Sequence, residues 1–281
     1  MFITYLLSLF SGLFYGITES INKHITETRY SPFSYAFLQY LLNFLIFFVP
    51  ALFFLQLSPL NIAYLFMLIS VIITFASNAM TIKAYKTEDI SAMSILSSVS
   101  LVTTVLLGVV VLSERLNLPK VAGIIFIIVG ITMIFYEGKR LTASKGLLIT
   151  LAAKILWGFQ TLFDKKALVS FNVVTYSAVT MGILAAIHLF IPLVQKEARL
   201  IFNKYTAKII LSRISVTAGA FIYFWSIKRG NISIVNTNVD TLFLLSSVLI
   251  GIIFLKEKKN IVKKLSGSFL CTVGIILLNF F

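Results

Sequence analysis

Two charged side chains stand where charge is costly. Asp240 lies about eight residues into an apolar run that begins near 232, and Lys154 about eight residues into a run that begins near 146, each roughly 12 Å deep at 1.5 Å per residue. An aspartate at the centre of a membrane helix costs roughly 2.5–3.5 kcal/mol on insertion scales, so such a group ordinarily faces a cavity, a counter-charge or a solute. Entering a core about 30 Å thick from opposite faces, the two would differ in depth by only about 6 Å, within reach of a lysine stem. A Lys154–Asp240 pair is therefore expected if their helices are neighbours. Asn236, Asn238 and Thr241 accompany Asp240 and could bind solute with it. The competing account is a hydrogen-bonded packing group.

Lys154 shares one helical face with Trp157, Gly158, Thr161 and Lys165, at spacings of three and four. A matching face holds Gly12, Tyr15, Gly16, Glu19 and Lys23. Each combines polar or aromatic groups with a glycine, as a cavity wall would; a glycine packing seam whose charged ends reach the interface gives the same pattern. Glu19 lies toward the end of its run, where a carboxylate reaches water, but if buried it could exchange a proton as a cavity opens to each side. His188 could relay protons near neutral pH or simply pack. Arg213, about 8 Å into its run, is expected to extend toward the interface. Tyr15, Tyr35, Tyr40, Trp157, Tyr176 and Trp225 offer ring faces to a cation or an amino-acid side chain. Tyr35 and Tyr176 also suit interfacial aromatic belts. In SAMSILSSVSLVTT, Ser91, Ser94 and Ser98 share a face, with Ser97, Ser100 and Thr104 nearby, for solute hydrogen bonds or for close helix packing.

The elements that must position these groups are apolar helices. The 281 residues are 59% hydrophobic and 12% charged, with more apolar content than soluble domains and about half their charge, which excludes an ordinary water-soluble enzyme. Spans are predicted near 2–20, 32–55, 61–83, 90–113, 119–136, 146–163, 172–194, 208–227, 232–255 and 261–281. No connection is long enough for a further folded domain. The opening MFITYLLSLFSGLFYG lacks a basic leader and a small-residue cleavage motif, so it reads as a retained first span. A single cysteine, Cys271 in CTVGIILL, reads as helix core. With only His24 and His188 beside it, no cluster of metal ligands and no nucleophile with its base is visible, so neither enzyme activity nor a cofactor or metal is expected. The net charge of +14 is assigned to loops facing cytoplasmic lipid rather than to nucleic acid.

The stretch EGKRLTASK divides the spans into five and five, and the halves match. FYGITESINK (14–23) aligns with LWGFQTLFDK (156–165) at an offset of 142, held at Pro50 and Pro192. The offset becomes 143 at Gly108 with Glu114 against Gly251 with Glu257, and 144 at Lys120, Gly123 and Gly130 against Lys264, Gly267 and Gly274. The units are 1–137 and 146–281, with 138–145 as linker. Because five is odd, the second copy should enter the membrane from the opposite side, an arrangement common in secondary transporters.

On Tyr15-Gly16 and Trp157-Gly158, on the acidic ends Ser113-Glu114 and Lys256-Glu257, and on Gly123/Gly130 paired with Gly267/Gly274, the chain resembles the drug/metabolite transporter superfamily. Over essentially its whole length it is similar to the ten-helix EamA-like permeases. The resemblance implies an all-α integral membrane protein with ten transmembrane helices in two inverted five-helix repeats around a central cavity, moving small metabolites or drugs by alternating access. Where the family carries a proline in spans 4 and 9, this chain has Ser97-Ser98 and Asp240-Thr241.

Sixteen of the 24 Lys and Arg flank the odd-numbered connections and six the even ones, which places the odd connections in the cytoplasm and both termini outside, whereas the family's habit puts the termini inside. The expected function is secondary active transport of a small polar metabolite, with an amino acid or related zwitterion favoured because an acid, a base and aromatic rings suit its two charges. Coupling to protons is open. A lipid or lipid-linked sugar flippase and a drug or organic-cation exporter are the alternatives. Expected partners are the solute and membrane lipid, with no nucleic acid, in a plasma membrane (the inner membrane if bacterial), as monomer or homodimer.

Overall fold

The computed structural model describes the chain apart from residues 1, 27–29, 57–60, 113–116, 138–139, 142–143, 231, 258 and 280–281, and apart from the side chains of 2, 112, 134–137, 140–141, 233 and 279. Ser113 and Glu114 lie outside the described residues. The described elements are helices α1 (Phe2–Thr26), α2 (Pro32–Phe54), α3 (Ile62–Ala84), α4 (Ile90–Leu112) and α5 (Leu118–Phe135), a two-residue ladder of β1 (Tyr136–Glu137) with β2 (Arg140–Leu141), and helices α6 (Lys145–Leu168), α7 (Val173–Leu189), α8 (Val194–Arg229), α9 (Ile232–Ile253) and α10 (Ile261–Asn279).

Local sequence starts these helices. Ser31, Asn61, Ser144 and Asn172 each accept a backbone N–H of the first turn, from Phe33, Ala63, Leu147 and Thr175 respectively, at 2.7–3.3 Å. Among the described residues seven helices, α2, α3, α4, α6, α8, α9 and α10, are long and apolar enough to cross a membrane, while α5 and α7 are shorter apolar helices. Polarity is inverted relative to a protein dissolved in water. Phe53, Val110 and Phe269 face outward at 67–79% exposure, and Ser8, Thr150, Ser212 and Thr237 are fully buried.

Several span boundaries differ from expectation. Helix α1 continues to Thr26, so Glu19 sits seven residues, about 10 Å, before its end rather than near it. Helix α7 stops at Leu189, and α8 begins at Val194, well before the expected 208, with a break in helical geometry at Tyr205 (φ −126°, ψ 23°). Its first part is amphipathic: Val194, Ala198 and Ile201 are buried at helical spacing, while Lys196, Arg199 and Lys204 face out. Glu197 of this part accepts from Ser31 N (2.9 Å) and Ser34 Oγ (2.7 Å), capping α2.

The first helix of each half packs into the other half. α1 lies against α8 and α9, and α6 against α3 and α4; α2 pairs with α7 and α5 with α10. Glycines make these approaches possible. A side chain on Gly158 would meet Ser100 and Thr103 of α4, and one on Gly16 would meet Ser246 of α9, the residue that corresponds to Thr103 in the repeat. In α5 and α10, Gly123 faces Gly274 and Gly130 faces Gly267, so these equivalent helices run antiparallel. α2 and α7 are antiparallel as well, since Asn172 Nδ2 donates to Phe54 O at 2.7 Å.

Candidate functional site

A cavity of about 190 Å³ occupies the middle of the helices. It is far larger than the roughly 10–15 Å³ that one water requires by the same measure, and fits a small solute. Helices α1, α2, α3, α4, α6, α7, α8 and α9 all reach it, whereas among the described residues α5 and α10 contribute none of its lining. Two walls are repeat-related: Tyr15, Thr18, Glu19 and Asn22 of α1 and Trp157, Gln160, Thr161 and Asp164 of α6, four pairs at one offset. The faces are rotated from those expected. Gly16, Gly158 and Lys165 turn away from the chamber to neighbouring helices, Lys165 Nζ donating to Gly230 O at 3.4 Å, and Gln160 and Asp164 turn in.

Lys154 lines the chamber at 5% exposure, its Nζ 4.6 Å from the centre of the Trp157 ring and 5.7 Å from that of Phe243. It interacts electrostatically with Glu19 and Asp240, which face the same space. The expected direct pair with Asp240 is not formed: α4 packs between α6 and α9, and neither residue makes an ion pair within 4 Å among the described residues. Asn236 and Phe243 stand beside Asp240 in the lining. The Oδ1 of Asn236 and the Oε2 of Glu19 are buried without a hydrogen-bond partner among the described residues.

Several expected positions change. Asn238 faces α1 instead, where its Nδ2 donates to Tyr5 O (3.0 Å) and Ser8 Oγ (3.1 Å) and ties α9 to α1. Thr241 donates to Thr237 O (2.7 Å) within α9. Thr161 remains in the lining and accepts from Tyr223 OH at 3.3 Å, while Tyr223 packs edge-on to Tyr15 at 6.4 Å. Tyr176 is neither a belt residue nor a lining residue; at 1% exposure it stands behind Asp164 and donates to its carboxylate at 2.5 Å. Tyr35 is likewise buried behind Asn22. Tyr40 lines the cavity, and Trp225 instead lies under the Arg229 guanidinium at 4.4 Å. Of the serine run, Ser97 and Ser100 reach the cavity, yet most of its hydroxyls bond back to their own helix, as Ser94 does to Ile90 O at 2.8 Å.

Arg213 does not extend to the interface. It is 3% exposed and donates to Asn22 Oδ1 (2.8 Å) and Ser212 Oγ (2.6 Å) at the edge of the cavity. His188 is a packing residue, bonded through Nδ1 to Leu184 O at 2.7 Å and ringed by Phe33, Tyr40 and Phe75. Sequence reasoning missed Asp164. It is 2% exposed and accepts from Ser70 Oγ, Tyr176 OH and Gln160 Nε2. Its position opposite Asn22 in the repeat was the available signal; Lys165 and Lys166 beside it gave it the look of an interfacial charge.

At one end of the helices, Glu257 caps α4 by accepting from Ile90 N (2.7 Å), Ser91 N (3.2 Å) and Ser91 Oγ, and Lys264 joins it (3.4 Å) to Asp89 (2.7 Å). The acidic end recognised in the sequence is thus a structural clamp between the halves.

The chamber holds acids, bases and aromatic rings inside an apolar body, an arrangement able to receive a charged solute away from water. None of the curated proteins matches the chain in sequence. A crystal structure whose title reads only "Crystal structure of protein" is similar in fold, with a TM-score of 0.67 at 12% identity over 98% of this chain and 95% of that one. The model of the EamA-like transporter family matches twice, over residues 2–136 and 144–280, so this multi-pass membrane chain belongs to the EamA-like transporter family.

Proposed function

We propose that the protein is a secondary active transporter whose ten helices all cross the membrane as two inverted repeats, carrying a small polar metabolite by alternating access through the central chamber. The carrying observation is the chamber's mixed charge: Lys154 and Arg213 against Glu19, Asp164 and Asp240, with Trp157 and Tyr15 as ring faces. A zwitterion such as an amino acid answers both signs at once. In this reading Lys154, held over Trp157, receives the anionic group and Asp240 the cationic one, while Glu19, Asn236 and Thr161 complete the wall. The antiparallel course of the equivalent pairs α2/α7 and α5/α10 supports the inverted arrangement. The chamber is small for a lipid tail and several charged side chains line it, which favours a soluble metabolite over a flippase cargo. The test is exchange of labelled amino acids, amines, nucleosides and organic anions by protein in liposomes. Exchange of amino acids supports the reading, exchange of amines alone would make the protein an organic-cation carrier, and no exchange of any of them would refute it.

A further inference from the structure

The two halves place the same three-residue cluster at opposite ends of the chamber. In one, Asn22 Oδ1 accepts from Tyr35 OH (2.6 Å) and Ser212 Oγ (2.9 Å); in the other, Asp164 Oδ1 accepts from Tyr176 OH (2.5 Å) and Ser70 Oγ. Asn22 corresponds to Asp164 and Ser212 to Ser70 at an offset of 142, and Tyr35 to Tyr176 at 141. Ser212 contacts the first cluster and Tyr223 contacts Thr161, one turn before Asp164, so along α8 the clusters are separated by about 20 Å.

The geometry is shared but the charge is not. The first cluster holds a permanent cation, because Arg213 donates to Asn22; the position equivalent to Arg213 is Val71. The second holds a carboxylate with no cation within 4 Å among the described residues. Asn22 shows that an amide meets every bond the cluster needs, so the acid at 164 exceeds what packing requires. An isolated carboxylate at this depth is costly unless a cation neutralises it.

We infer that Asp164 is the site where a coupling proton binds, with Gln160 as the side chain that relays its occupancy to the solute chamber. A metal cation is a poor fit, because Ser70, Tyr176 and Gln160 all aim hydrogens at the carboxylate and leave no shell of free oxygens. The groups facing Asp164 from packed elements are Tyr176 of α7, Ser70 of α3 and Tyr223 of α8, with Tyr15 of α1 across the cavity; its own helix adds Gln160, while Lys165 turns to Gly230 and Lys166 to the Phe66 ring. Oδ1 is occupied by two hydroxyl donors, so the proton goes to Oδ2, whose one partner among the described residues is Gln160 Nε2 at 3.3 Å. The carboxyl then becomes a donor there, the amide must turn its Oε1 toward it, and the chamber wall beside Trp157 and Thr161 changes with it.

The role in coupling rests on the transporter reading, but proton binding itself does not. In purified protein in liposomes, acidification should raise an infrared carboxylic-acid carbonyl band that Asp164→Asn abolishes and Asp240→Asn retains. With the amino acid that wild type exchanges fastest as probe, Asp164→Asn should lose accumulation driven by an imposed proton gradient, and whatever exchange it retains should no longer vary with pH. Persistence of the band in Asp164→Asn, undiminished gradient-driven accumulation, or accumulation driven by a sodium gradient alone would each overturn the inference. So would failure of Asp164→Asn to fold, since the acid would then be a structural need. If wild type exchanges nothing, the transporter reading fails, and the infrared band still decides whether the proton binds.

Discussion

Replacing Gly12 by alanine tests how closely α1 and α9 must approach for Tyr15, Glu19 and Asp240 to share one chamber. A Cβ on Gly12 would stand 2.0 Å from Val239 O and 2.9 Å from Phe243 N, both backbone atoms. Against the 3.4 Å of ordinary contact, the helices must part by about 1.4 Å, and no rotamer change relieves this. Overpacking of this kind costs about 1–3 kcal/mol. Gly16→Ala supplies the control: its Cβ would stand equally close, at 2.0 Å, but to Ser246 Oγ, which can rotate away at the loss of its shared hydrogen bond to Leu242 O and Phe243 O within its own helix, leaving Ser246 Cβ at 3.0 Å and Ser247 Oγ at 3.1 Å to give by a few tenths of an ångström. That loss is worth roughly 1 kcal/mol. Both variants gain the same roughly 1 kcal/mol of helix propensity, so the comparison isolates the clash. Thermal unfolding in one detergent should therefore leave Gly16→Ala near wild type and lower the Gly12→Ala midpoint by a few degrees, at about 2–4 °C per kcal/mol. Solute affinity should fall in Gly12→Ala alone. Equal midpoints, or a lower one for Gly16→Ala, would refute the view that backbone contact at Gly12 sets the distance between the walls.

Asp240→Asn should insert and purify normally while exchange and gradient-driven uptake both fall about tenfold or more, its residual exchange keeping the pH dependence that Asp164→Asn should lose; wild-type uptake would reduce Asp240 to structural polarity. Trp157→Leu removes a cation–π contact worth roughly 0.5–2 kcal/mol to Lys154 and should lower the thermal midpoint, with Trp157→Phe recovering part of it. A cysteine at exposed Lys259, between Lys256 and Lys264, should react with an impermeant thiol reagent only from the cytoplasm, against the background of Cys271, which is fully buried; labelling from outside intact cells would reverse the orientation that the charge count gives.

The apolar runs, their breakers and the offsets that relate the halves are properties of consecutive residues, and the sequence alone determined them: ten helices in two sets of five, glycine seams, and a lysine and an aspartate at depth. Helix formation and hydropathy depend on neighbours along the chain, so they can be read there. Facing and partnership could not be read. A helical stripe that includes Gly158 and Lys165 differs by a fraction of a turn from one that includes Gln160 and Asp164, and only the packing of α6 against α3 and α4 chose the second. The same packing kept Arg213 from the interface by offering it Asn22 and Ser212, and turned Asn238 toward Tyr5 and Ser8 while its neighbour Asn236 faced the chamber. Asp164 looked like an end charge because two lysines follow it; Ser70 and Tyr176, brought from α3 and α7, made it interior. Each outcome was settled by residues distant in sequence, since a buried polar group must find its partner wherever close packing brings one.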